Sequence, residues 1–138
     1  KNCVVYSSSH DSDCTYTWVK NISGEARKRF NKECPRTPGQ SRTYDVIELA
    51  MSSRANLAVI PMQDYLELGK EARMNFPGTL SDENWTWRAT AGYLYPGLAQ
   101  RIHRLTKIFG RLAEKEENLT CFADFHLRPA GYPYLLKN

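Results

Sequence analysis

Two short apolar runs and two stripes of helical spacing organise this chain. Residues 3–6, Cys-Val-Val-Tyr, make a β-prone run that ends in the polar, turn-forming segment Ser7-Ser-Ser-His-Asp-Ser-Asp13. From Ile22 the pattern turns helical, with Ser23 as N-cap, Glu25 in the first turn and Arg27-Lys-Arg-Phe-Asn-Lys-Glu33 following until Pro35 and Pro38-Gly39 stop it. Ser41 caps a second helix, whose apolar residues Tyr44, Ile47, Ala50 and Met51 recur at helical spacing to about Arg54. Leu57-Ala-Val-Ile-Pro-Met62 is a continuous apolar run, the pattern of a strand covered on both faces. Leu98, Ile102, Leu105, Phe109 and Leu112 then alternate steps of four and three, one stripe of a helix packed on the sheet, with Gly110 a place for it to end before Glu117.

The order strand, helix, helix, buried strand is a crossover and predicts two parallel neighbours in an α/β sheet. Polar residues follow the carboxyl end of each strand, the face on which α/β barrels and open α/β sheets bind ligands. A parallel pair buried on both faces demands further strands on each side. The expectation is therefore the last two strand-helix units of a larger sheet or barrel, with residues 1–118 in its body and an irregular aromatic tail, 119–138, lying against it. A chain that opens at Lys1, directly before a strand, also reads as a piece of a longer protein. No internal repeat or low-complexity segment interrupts the pattern.

With 138 residues, 41% of them hydrophobic, the chain can bury a core. Its longest apolar run falls far short of the roughly 20 residues a bilayer helix needs, so no membrane role is expected. The net charge of +4 is dispersed, and the densest cluster, Glu114-Lys-Glu-Glu117, is mostly acidic; a nucleic-acid footprint needs clustered cations, and none is expected here. Cys3, Cys14, Cys34 and Cys121 are irregularly spaced without a C-x-x-C pair, which favours free thiols and a cytoplasmic setting. The sequons at Asn21, Asn84 and Asn118 point the other way, but the tripeptide arises often by chance.

Candidate chemistry gathers in two segments. His10 and Asp11 stand where a barrel strand delivers side chains into its site: the carboxylate can accept from two sugar hydroxyls and the imidazole can bond a third, both strengthening as the ring flattens toward an oxocarbenium ion. Taken alone, the dipeptide reads as a solvated turn. A metal site from His10, Asp11, Asp13 and Cys14 fits no recognised ligand spacing, and Ser7 to Ser9 lack the glycines of a nucleophile elbow.

The second segment is Pro61-Met-Gln-Asp-Tyr-Leu-Glu-Leu-Gly-Lys-Glu-Ala-Arg-Met-Asn-Phe-Pro-Gly-Thr79, closed by Asn84-Trp-Thr-Trp-Arg88, a long ordered loop. Arg73 and Asn75 are its polar side chains best suited to a ligand, unless Arg73 pairs with Glu71 or a carbonyl and Asn75 only shapes the turn before Pro77. Trp85 and Trp87 flank Thr86 and share one side of an extended segment, either as a sugar platform or, the favoured reading, as a plug at a barrel end. Gln63 and Asp64 read as supports behind the site, and His103 and His126 as structural.

These segments resemble the 4-alpha-glucanotransferases called amylomaltases or disproportionating enzymes, glycoside hydrolase family 77, from Val4 to about Arg111. The 61–79 and 84–88 stretches carry most of the likeness, and Tyr6-Ser-Ser-Ser-His-Asp-Ser-Asp13 resembles the family segment Y-T-G-T-H-D-N-D. The resemblance implies the C-terminal part of a (β/α)₈ barrel enzyme that moves α-1,4-glucan segments between maltooligosaccharides through a covalent intermediate, with retention and without cofactor or metal. His10 and Asp11 match the family's His and its transition-state-stabilising Asp, and Asn75 matches a loop position near the substrate. Ser8, Ser12 and Cys14 replace the usual Gly, Asn and Thr around the pair, and no segment matches the family's nucleophile or acid/base carboxylates. The chain alone is therefore expected to be inactive. A noncatalytic glucan-binding module, or one that self-associates through exposed strand edges, is the alternative.

Overall fold

The computed structural model describes residues 2–112. Strand β1 (Val4–Tyr6) and strand β2 (Leu57–Val59) pair in parallel, Val4 opposite Leu57 and Tyr6 opposite Val59. Between them run helices α1 (Thr15–Asn21), α2 (Gly24–Glu33) and α3 (Arg42–Met51); a short α4 (Met62–Tyr65) follows β2, and α5 (Pro96–Ile108) comes after a long connection holding two 3₁₀ turns. The crossover thus has three helices where the sequence pattern predicts two. Helix α1 escapes that pattern because Thr15-Tyr-Thr-Trp-Val19 is β-branched and aromatic, a composition that favours strands unless tertiary packing overrides it.

Local signals place most of the remaining ends. Ser41 Oγ accepts from the Tyr44 N–H and caps α3 as expected. Ser23 precedes α2 in an extended conformation, but its hydroxyl caps nothing. Pro96 opens α5 at its first turn, and Gly110, at φ +63°, takes the left-handed position just past Phe109 that ends the helix.

The core lies on one side of the strand pair. Tyr44, Ile47 and Met51 of α3 pack with Leu105 of α5, and Ala58, Ile60, Tyr65 and Phe109 close around them. A smaller cluster, Val19, Phe30 and Cys34, joins α1 and α2 beside Ile22 and Val46. The other sheet face is open: Val4, Tyr6, Leu57 and Val59 share it by register, and Tyr6 and Leu57 keep more than half their surface. The expectation that β2 is covered on both faces fails among the described residues, because no layer stands over that side. The expected tail, 119–138, together with Cys121, His126, Asn118 and the Glu114 cluster, lies outside the described residues.

Candidate functional site

Beyond Tyr6 the chain folds into a tight turn. The Ser12 N–H donates to the Ser9 carbonyl at 3.2 Å and the Ser9 N–H to Ser12 Oγ at 2.9 Å, leaving His10 and Asp11 as the two central residues. Ser12 thus closes the turn on Ser9 through both its N–H and its hydroxyl. His10 Nε2 lies 3.2 Å from Asp11 Oδ2, and both side chains are about half exposed, at 56% and 48%.

The segment after β2 meets this turn at its tip. The Asn75 N–H donates to the His10 carbonyl at 3.1 Å, and Asn75 Nδ2 donates to Asp11 Oδ1 at 2.6 Å. All three nitrogens of the Arg73 guanidinium are engaged: Nη1 with Asp13 Oδ1 at 2.6 Å, Nη2 with the Asp11 carbonyl at 2.7 Å and Nε with the Asn75 carbonyl at 2.8 Å. Arg73 therefore braces the two strand-end loops against each other through Asp13 and carbonyls, while Glu71 turns to the Gly69 N–H. The Phe76 ring lies 4.7 Å from the guanidinium.

Trp85 closes one side. Its ring centroid is 5.1 Å from that of His10, its backbone N–H donates to the Met74 carbonyl, and its own φ is +65°. That left-handed residue breaks the extended segment expected from the Trp-Thr-Trp pattern: Trp87 departs to stack near Tyr93, while Trp85 stays half exposed against His10. Neither indole joins the core clusters. Asn84 holds the loop in shape, accepting from the Phe76 N–H and donating to both oxygens of Thr79.

Beneath the turn lies Asp64, which has no exposed surface. Its Oδ2 accepts from Ser7 Oγ at 2.6 Å, Ser8 Oγ at 2.7 Å and Thr15 Oγ1 at 2.8 Å, and its Oδ1 from the Thr15 N–H at 2.8 Å. Gln63, beside it, donates to the Ala72 carbonyl at 3.3 Å. Ser8 thus has a partner of its own in Asp64. Cys14 is buried, and burial together with the Asp64 charge pushes its thiol up to about 11, so it stays apart from His10 and Asp11 as a protonated core residue. No group of three or more His, Cys, Asp or Glu side chains that can hold a metal occurs among the described residues.

Of the four residues singled out in sequence, the fold brings His10, Asp11, Asn75 and Arg73 into one cluster. The roles of Asp13, of the Ser7, Ser8 and Thr15 hydroxyls and of the Trp85–His10 contact went unread. They depend on contacts across 49 to 75 residues of sequence, and only the polar density of the 7–13 segment hints at them. His103 stands half-buried on α5.

The family model for glycoside hydrolase 77, described as 4-alpha-glucanotransferase, matches residues 1–93. The chain belongs to this family. It is 40% identical over 112 residues to the 4-alpha-glucanotransferase of Clostridium butyricum, covering 80% of this chain and 23% of that one. The Aquifex aeolicus enzyme is 38% identical over 112 residues, covering 80% and 22%, and the chloroplastic/amyloplastic enzyme of Arabidopsis thaliana 37% over 114 residues, covering 80% and 20%. In fold it is similar to the amylomaltase of Streptococcus agalactiae solved in complex with acarbose, with a TM-score of 0.74 and 24% identity over 80% of this chain and 22% of that one. The chain spans about a fifth of the length of the curated relatives it matches.

Proposed function

We propose that this chain forms part of a (β/α)₈-barrel 4-alpha-glucanotransferase and supplies its transition-state-stabilising carboxylate, Asp11, with residues 1–118 belonging to the catalytic barrel. The observation that carries the reading is the meeting of Asn75 with Asp11 at 2.6 Å, which unites the loops beyond two parallel strands at their carboxyl ends. Asp11 Oδ1 faces Asn75 and Oδ2 faces His10, and each oxygen keeps a second lone pair for a sugar hydroxyl. Hydrogen bonds from a glucose ring to such a carboxylate strengthen as positive charge develops on the ring, so they lower the barrier more than they tighten ground-state binding. His10 adds a polar edge beside it, Trp85 an apolar wall, and Asn75 a further donor and acceptor, while Arg73 acts on substrate through the loops it braces.

Retaining transfer needs a nucleophilic carboxylate and an acid/base carboxylate roughly 5–5.5 Å apart, and this chain's cluster contains neither in that role. They are assigned to segments corresponding to the remainder of the relatives, and the substrates to α-1,4-glucans and maltooligosaccharides. The three cysteines among the described residues, Cys3, Cys14 and Cys34, are free thiols and favour a reducing, cytoplasmic setting.

The test is a chimera in which this chain replaces the matching segment of the Clostridium butyricum enzyme. It should disproportionate maltotriose, and Asp11→Asn should lower kcat by about 10²–10³ with little change in KM, the loss typical of removing one transition-state hydrogen-bonding group. The 138-residue chain by itself should be inactive. An Asp11→Asn chimera of undiminished kcat, or activity in the isolated chain, overturns the proposal.

A further inference from the structure

We propose that Asp64 is the positioning residue of the His10–Asp11 pair, stapling both ends of the turn-bearing loop to α4, the helix that follows the neighbouring strand. This rests on reading that pair as the glucan-facing group, and adds the residue that fixes where it stands.

Ser7 and Ser8 are the first residues beyond β1, and Thr15 is the first residue of α1, so they mark the exit and the return of the loop that carries His10 and Asp11. Donors from both ends converge on one carboxylate: three hydroxyls and one backbone N–H, at 2.6 to 2.8 Å. The Thr15 hydroxyl also lies 3.2 Å from the Ser7 carbonyl, but it has one proton, and the shorter contact to Asp64 takes it. A carboxylate offers about four acceptor sites and no donor; here three hydroxyls converge on Oδ2 and one N–H meets Oδ1.

A carboxylate that merely capped α1 would need only the Thr15 N–H. Ser7 and Ser8 belong to the strand exit instead, and their hydroxyls have no part in capping that helix. Asp64 itself sits in α4, at the exit of β2, and the same segment continues into Arg73 and Asn75. The loop is thus held at its base by Asp64 and at its tip by Arg73 and Asn75, all from one side. Releasing the base leaves the tip to hold the loop alone, so the turn tilts, Asp11 moves with it, and the Asn75–Asp11 bond gives way.

The experiment is side-chain NMR on the 138-residue chain carrying Asp64→Asn, which preserves size but replaces one acceptor oxygen with a donor that faces hydroxyls and an N–H. His10 is a local reporter, because the Trp85 ring 5.1 Å away imposes a ring-current shift on its imidazole protons. With the amide signals of α3 and α5 unchanged, so that the core is intact, that shift should collapse toward the free-imidazole value and the Asn75 side-chain amide should lose its bonded signature. A purely structural Asp64 would lower the melting temperature without moving either signal in the folded population, and that result overturns the proposal. Should Asp64→Asn fail to fold, Ser8→Gly removes one donor and leaves the carboxylate in place; it should shift His10 in the same direction by a smaller amount, and an unmoved His10 again refutes the idea. Neither measurement involves a glucan, so failure of the transferase reading, seen in the Asp11→Asn chimera, is distinguishable from failure here.

Discussion

Removing Arg73 should separate the two loops that form the site. Its guanidinium makes three hydrogen bonds, to Asp13 at 2.6 Å and to the carbonyls of Asp11 and Asn75 at 2.7 and 2.8 Å. Its side chain is 17% exposed and that of Asp13 34%, so the ion pair is only partly shielded. Solvent screening at such a pair brings its net worth down to about 0.5–1 kcal/mol. The two carbonyl bonds contribute about 1 kcal/mol each, since water can rehydrate those oxygens once the side chain is gone. Arg73→Ala should therefore cost about 2–3 kcal/mol, which at a urea m-value of about 1.5 kcal/mol/M lowers the midpoint by about 1–2 M. Arg73→Lys should recover about 1 kcal/mol of this at most, because a single ammonium can reach Asp13 but cannot span three acceptors in a fork. Urea unfolding followed by tryptophan fluorescence measures both. A loss under about 0.5 kcal/mol for Arg73→Ala, or a lysine variant equal to the parent, would show that the loops hold together without the clamp.

Three further outcomes follow from the fold. Asp45 is buried, which by itself raises its carboxyl, but hydrogen bonds from Arg42, Thr37 and Gln40 outweigh this and hold it below the ordinary 3.8. A depressed carboxylate stabilises the fold above its unfolded value and loses that contribution as pH falls through the lower folded one, so the penalty of Asp45→Asn should be full at pH 7 and shrink as acid takes the solution below the ordinary carboxylate range, checked by thermal melts at falling pH. Among the described thiols, iodoacetamide at pH 8 should modify exposed Cys3 and spare Cys14, raised to about 11 by burial and the Asp64 charge, and Cys34, raised by burial; peptide mapping that finds Cys14 labelled in the folded chain contradicts this. Ile47 is fully buried between α3, α5 and the sheet, and Ile47→Ala should cost about 2–5 kcal/mol in urea unfolding, with a smaller loss meaning that the core collapses into the cavity.

The sheet face formed by Val4, Tyr6, Leu57 and Val59 explains why the chain's apolar runs read as fully buried strands. Its composition suits a covered surface.

What the sequence determined by itself is local. The spacing of Tyr44, Ile47, Ala50 and Met51 specifies α3, Ser41 its start, and Pro96 and Gly110 the ends of α5, because helical period, caps and left-handed glycines act within a turn or two. The two apolar runs with helices between them also carry the pattern of a crossover, and the strands do pair in parallel. Helix α1 was illegible, because its residues prefer strands and become helical only when Thr15, Thr17 and Val19 are buried against their neighbours. His10, Asp11, Arg73 and Asn75 could be named one by one, but their grouping could not. Hydrogen bonds that cross about 60 residues depend on where two strands end in space, and no periodicity encodes that. Tertiary structure alone decided that Arg73 clamps loops, that Trp85 leaves the line of Trp87 to lie on His10, and that one buried carboxylate gathers the hydroxyls beneath the turn.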